Sequence, residues 1–286
     1  MSLFVRGIKG EEINKTILNY SFNIKCMLKI FKYSFYDLLR SRWLLMYFLF
    51  FLATTFALLY LSSDISKGIV SLMNIIIAII PVISIIFGVM YYYNSREFID
   101  LLLSQPIKRK SVFLGQFLGL SLSLALSFVL GMIIPFAVYG IFTSSEIWNF
   151  SSLLFIGVIL TLIFVSLAYL ISILNDDKIK GFGIAILVWI LFSVIYDGAL
   201  LLFFVSFSDY PLQKFAIVLT VLNPVDLARV MVLLKLDVSA LMGYTGAVFN
   251  QFFGTTWGMF ISSFSLLLWI FIPLFSFLRI IKKKDF

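Results

Sequence analysis

Side chains able to carry chemistry are scarce in this sequence, and their scarcity restricts what it can do. The 286 residues contain no histidine and a single cysteine, Cys26. Histidine acid–base catalysis and histidine metal ligation are therefore excluded in this chain, and Cys26 cannot close an internal disulfide. No Walker-type Gly-rich loop, G-x-S-x-G, H-E-x-x-H or C-x-x-C occurs, so the corresponding nucleotide, hydrolase, zinc and redox chemistries have no carrier. Asp197 is the acidic residue set inside an apolar run, about 16 residues or 24 Å along it. One such residue near a span end reads as interfacial, because a proton path needs a chain of them. Thioethers are the soft ligands present in number. Met231 and Met242 are the metal candidates on the outer side, but without an M-x-x-M cluster both read first as packing residues. An embedded enzyme would need a clustered nucleophile, metal ligands or an acid–base pair, and the sequence offers none. The chain reads as non-catalytic and as binding no cofactor of its own.

The elements that position these residues are apolar helices. Hydrophobic residues make up 62% of the chain and charged residues 13%, against about 45–50% and 25% in soluble domains. The fold class is all-α integral membrane. Runs long enough to cross about 30 Å of hydrocarbon are Trp43–Leu61, Ile69–Tyr93, Val112–Phe142, Ser151–Leu174, Gly181–Val205 and Thr255–Leu278. With the N-terminus inside, eight Lys and Arg precede the first span, four lie in the 2–3 loop, two in the 4–5 loop and four in the tail. Only Lys67, Lys214, Arg229 and Lys235 fall outside. This asymmetry orients the chain with both termini cytoplasmic, and the expected location is the cytoplasmic (inner) membrane. The net charge of +8 is thereby a topological signal, not a nucleic-acid footprint.

Three segments lie outside the spans. Residues 1–26 lack the apolar core of a signal peptide and read as a loosely ordered extension, for which an over-long gene start is one explanation. Residues 27–42 place Leu28, Phe31, Phe35 and Leu38 at helical spacing, with Lys29, Lys32, Asp37 and Arg40 off that stripe; this is an amphipathic interfacial helix, an anchor in the lipid or an elbow that moves with an attached motor. The six-span body then runs from 43 to 286. Its 2–3 connection, residues 94–116, carries an apolar stripe at Phe98, Leu101 and Leu102, a break at Pro106 and the basic run Lys108–Lys110. Apolar residues in such a loop suggest a short helix docked on the membrane or on a cytosolic partner. The segment 206–254 is too long for a plain connection and is expected to fold outside the membrane. Within it, Asn223 reads as a helix N-cap, Pro224 as the first helical residue and Asp226 as a carboxylate near the positive helix end. Leu227, Val230, Met231 and Leu234 follow as one apolar face.

FKYSFYDLLRSRWLL (31–45) resembles the start of NosY-type permeases, a branch of the type-2 ABC transporter permeases linked to nitrous-oxide reductase maturation. SREFIDLLLSQPIKRKSVFLGQFLG (95–119) is similar to that family's loop after span two, and LNPVDLARVMVLLKLD (222–237) to its outer Asn-Pro-x-Asp helix. The resemblance implies six spans with an interfacial N-terminal helix, and a homodimer in which each copy bears a cytosolic ABC ATPase holding ATP and Mg. It implies an extracytoplasmic β-helical copper-processing protein and a copper lipoprotein outside, with Cu(I) on those partners. Glu97, Asp100, Gln105, Lys108 and Arg109 would contact the ATPase. Asn223, Pro224, Asp226 and Arg229 would face the outer partner. The alternative is a type-2 exporter of lipid, glycan or drug.

Overall fold

The computed structural model describes residues 23–62, 64–105, 107–207, 213–235 and 255–284. Residues 1–22, Pro106 and Met242 lie outside them. All regular structure among the described residues is helical. Helix α1 covers residues 23–39, so the amphipathic helix includes residues 23–26, which the sequence reading assigns to the extension. The spans follow as α2 (Arg42–Leu61), α3 (Ile65–Asn94), α5 (Arg109–Val138), α6 (Ile147–Leu174), a fifth running from Lys178 to Phe203, and α11 (Thr256–Lys283). The short α4 (Arg96–Leu103) joins α3 to α5. The fifth span is composite: α7 (Lys178–Ile190), a π turn at Leu191–Ile195 and α8 (Tyr196–Ser206). Among the described residues six helices are thus long and apolar enough to cross a membrane, or seven if the bent pair described below counts as one span.

Span three ends at Val138, before Phe142, because Gly140 adopts φ +80°. That left-handed conformation is open to glycine and breaks the helix; Ile141–Thr143 continue as a separate short 3-10 turn. Between spans five and six, α9 (Gln213–Leu222) and α10 (Pro224–Lys235) meet at a 114° bend. By length and composition this hairpin passes as a broken span or a re-entrant loop, whereas the sequence reading expects 206–254 to fold outside the membrane; residues 208–212 and 236–254 of that segment lie outside the described residues. Val225, Leu227, Ala228, Val230 and Val232 of α10 are buried, so the helix packs on nearly all sides against α3, α6 and α11.

The core is centred on α3 and α6, which pack closely where Gly88 faces Ala168. Helices α1 and α2 sit against α5 instead. Phe51 of α2 meets Phe128 of α5 edge-on at 5.0 Å. Helix α2 begins nine residues before Phe51 and α5 nineteen before Phe128, so α5 reaches about 15 Å further at that end. Helix α1 covers the projecting part. The fit depends on small residues at every fourth position of α5: Gly115, Gly119, Ser123, Ser127 and Gly131. In lipid no hydrophobic force joins helices, so close approach at small residues supplies the packing. Gly115 abuts Met27 and Ile30, Gly119 abuts Phe31, Ser34 and Phe35, and Gly131 abuts Phe48 and Phe51. The buried stripe of α1 is accordingly Ile30, Ser34 and Leu38, while Leu28 is exposed. The sequence stripe is rotated because the groove selects small Ser34, not a bulky neighbour.

Span five is the least embedded. Among its described side chains only Gly181 and Ala185 are buried.

Candidate functional site

Two polar constellations occupy opposite ends of the bundle. The first joins the ends of α3, α6 and α11 to the starts of α5 and the fifth span. Asp177 caps α7 by accepting from the Ile179 N–H at 2.8 Å, as a carboxylate at a helix start should. Tyr93 donates to the Asn175 carbonyl at 2.6 Å, and Lys178 Nζ donates to Asn94 Oδ1 at 3.0 Å. Lys284 donates to the Ile173 carbonyl and to Asp176 Oδ1, both at 2.7 Å. Arg96 of α4 stands 3.6 Å from the same carboxylate. The Lys284 hydrogen bond and charge hold the Asp176 carboxyl below its ordinary range. Arg109 donates to the carbonyls of Ile281 and Lys284, at the C-terminus of α11, where a cation also meets the negative end of the helix dipole.

On this platform α4 forms a short two-faced helix. Ile99 is buried, and Phe98 stacks on Tyr33 of α1 at 5.0 Å between ring centroids. Leu101 is 69% exposed. The stripe read from sequence is therefore split: Phe98 turns to α1, and Leu101 is exposed on α4 with Glu97 and Asp100, which stand four and three residues apart from Glu97 to Leu101 and from Glu97 to Asp100, the spacing of neighbours on a helix surface. Gln105 and Lys108 are exposed beyond the end of the helix, so four of the five candidate motor contacts are exposed. Arg109 is only partly exposed and is occupied by the tail. Sequence reading misses Asp176, Lys284 and Arg96, since partners 108 and 80 residues apart leave no local pattern. The four-residue ladder of small residues on α5 was a readable signal.

The second constellation lies where α10 meets the π turn. Asn223 caps α10, its Oδ1 accepting from the Val225 N–H at 3.0 Å. Its Nδ2 donates to Asp226 Oδ2 at 2.9 Å and to the Phe192 carbonyl at 2.8 Å. Arg229 donates to Asp197 Oδ2 at 2.7 Å and stands 3.5 Å from Asp226 Oδ1. Tyr196 donates to the Leu219 carbonyl of α9 at 2.6 Å. Asn223, Pro224 and Asp226 are buried and Arg229 is half-buried. The polar groups expected to face an outer partner are instead consumed inside the chain, because a buried carboxylate and amide need partners. Asp197 lies about 28 Å along its span from Lys178, near the far boundary, and it is ion-paired. Among the hairpin's described side chains the exposed ones are apolar: Phe215, Val218 and Leu222.

Beside this constellation a half-open cavity of about 340 Å³ lies between α6, α10 and α11. Trp148, Phe155, Ile156, Met231, Leu234 and Met259 form its apolar wall. Among the described residues no group of three or more His, Cys, Asp and Glu could hold a metal ion.

The family model for ABC-2 family transporter proteins matches residues 28–286. The chain belongs to the ABC-2 transporter family. It is also similar to a protein of Stutzerimonas stutzeri described as a probable ABC transporter permease protein NosY, with 27% identity over 209 residues, covering 68% of this chain and 76% of the relative. As an ABC-2 permease subunit it is a multi-pass membrane protein, and its all-α six-helix architecture agrees with that family. In this ABC-2 permease the match begins one residue beyond Met27, close to where α1 docks on α5.

Proposed function

We propose that this ABC-2 permease is the non-catalytic membrane subunit of a complex in the cytoplasmic membrane, with both termini on the cytoplasmic side. Two copies pair, and each carries a separate ATPase subunit that holds ATP and Mg. The observation behind this reading is the open face of α4, where charged Glu97 and Asp100 accompany exposed Leu101, with Lys108 exposed beyond the helix end, at the end where the α11 tail also lies. A loop that only connected two spans would have no use for an exposed leucine among charges, whereas a docked partner would cover it. Arg109 serves this face by holding the tail, and Glu97, Asp100, Gln105 and Lys108 make the contact.

The finer reading assigns the far end to an extracytoplasmic copper-handling partner, with Cu(I) remaining on that partner during nitrous-oxide reductase maturation. Its support is the similarity to NosY. On this reading Asn223, Pro224, Asp226 and Arg229 influence the partner by setting the position of the hairpin. The half-open apolar cavity beside α10 favours a second reading, export of an amphipathic substrate.

The test is affinity purification of the tagged permease from its native membrane. Recovery of an ABC ATPase, lost on Leu101→Glu, supports the proposal. Recovery of the permease alone under conditions that keep it folded would reject it. Recovery of a secreted β-helical protein separates the copper reading from export.

A further inference from the structure

We infer that Asn223, Asp226 and Arg229 are positioning residues forming a polar latch that holds the far half of span five against the body of the bundle. The inference deepens the proposed function, since it names the span free to move when the ATP side moves.

The latch is built on the π turn. A π turn takes in an extra residue, and here the Phe192 carbonyl, the Tyr196 hydroxyl and the Asp197 carboxylate all meet the hairpin. Each finds a different part of it: Phe192 the bend at Asn223, Tyr196 the Leu219 carbonyl of α9, and Asp197 the Arg229 guanidinium of α10. Three contacts to three points fix both the height and the rotation of the span. Asp226 in turn holds Asn223 and Arg229 in place, accepting from Asn223 at 2.9 Å and pairing with Arg229 at 3.5 Å.

The two sides of the latch are seated differently. Helix α10 is embedded by Val225, Leu227, Ala228, Val230 and Val232. The far half of span five buries none of its described side chains, and Leu201 and Leu202 are 67% and 71% exposed. The Phe192 ring meets Trp269 of α11 edge-on at 5.3 Å; beyond the π turn, lipid surrounds exposed leucine as readily as a neighbouring helix does, so apolar contact gives residues 196–203 little preference of seat. Polar contacts hold it instead. The near half of the span is seated differently, packed on α3 and α6 with Gly181 and Ala185 buried and tied by Tyr93 and Asn94. Span five is therefore anchored by its near half, and the latch decides whether its far half stays on the hairpin.

Hydrogen–deuterium exchange of the full-length protein in nanodiscs tests this without an ATPase. Asn223→Ala should raise exchange in residues 192–203 roughly tenfold while 228–234, beyond the first turn that Asn223 caps, stays protected. Tyr196→Phe, which deletes one hydroxyl and leaves the hairpin sequence intact, should act in the same direction with all of 225–234 protected. Arg229→Lys should retain most of the protection that Arg229→Ala loses. Unchanged exchange in 192–203 in both Asn223→Ala and Tyr196→Phe would overturn the latch, as would equal loosening of 192–203 and 228–234. If the latch behaves as expected but no ATPase binds the permease, the proposed function fails and the latch stands.

Discussion

Substituting Gly119 by alanine tests the seating of α1 on α5. A Cβ at this position would lie 2.6 Å from Ser34 Cβ, 0.8 Å short of the 3.4 Å at which ordinary contact begins. Ser34 cannot swing away, because a Cβ is fixed to its backbone. The Phe31 carbonyl oxygen and the Phe35 nitrogen lie 3.3 Å from the same point, which prevents relief by sliding. Helix α1 must retreat. Overpacking of this kind costs about 1–3 kcal/mol, and the helix preference of alanine over glycine returns about 0.5–1 kcal/mol. Gly183→Ala is the control: it lies inside α7, nothing stands within 4 Å of its Cβ position, and it receives the helix term alone. The two variants should differ by about 1–3 kcal/mol, or roughly 3–9 °C in unfolding midpoint at about 3 °C per kcal/mol. Thermal unfolding of both proteins in one detergent measures this. The retreat should also loosen the Tyr33–Phe98 stack and so disturb α4, lowering ATPase binding in Gly119→Ala but not in Gly183→Ala. Equal midpoints for the two variants would refute the close-packing argument.

Three further outcomes follow from the platform and the cavity. Lys108→Glu should weaken ATPase binding about tenfold, as loss of one central contact does, with an unchanged unfolding midpoint; Arg109→Glu should lower the midpoint and release the tail, because its guanidinium caps α11. Binding and unfolding measured side by side separate the two roles. The Asp176–Lys284 tie should be pH dependent in one direction only: a depressed carboxyl contributes above its unfolded pKa of about 3.9 and loses that contribution as pH falls through the lower folded value. Proteolytic protection of the tail should therefore be flat from pH 5 to about 8 and fall below about pH 4, while Asp176→Asn should show the reduced low-pH protection at every pH, with Arg109 and the Ile173 carbonyl still holding the tail. Met231→Leu, alone or with Met242→Leu, should leave maturation or transport activity within about twofold, as volume-conserving swaps do; loss of copper delivery with normal folding would make these thioethers ligands.

The candidate site was legible in part, and the dividing line is physical. Asn223-Pro224-Val225-Asp226 announces a helix start because an N-cap and its first turn are local chemistry, and the structure has that cap. It does not announce that Asn223 also holds the Phe192 carbonyl, 31 residues away. Glu97, Asp100 and Lys108 stand out as charges in a loop, and all three are exposed. Arg109 has the same sequence signature, yet its partner is the end of α11. Leu28 and Ser34 show the reverse case: periodicity favours the leucine, and the glycine groove of α5 selects the serine.

By itself the sequence determined that the chain carries six runs long and apolar enough to cross a membrane, which side its charges favour, and which catalytic motifs it lacks. Those properties depend on composition and on neighbours within a few residues, and transfer into hydrocarbon reads them directly. The tertiary structure decided which faces are left open. It bent α9 against α10 into a hairpin, turned Asn223 and Asp226 inward, gave Arg109 to the tail and left span five almost without apolar burial. Each outcome depends on partners distant in sequence. In lipid, where apolar surface is indifferent to its neighbour, it is close approach at small residues and the pairing of a few polar groups that choose between arrangements.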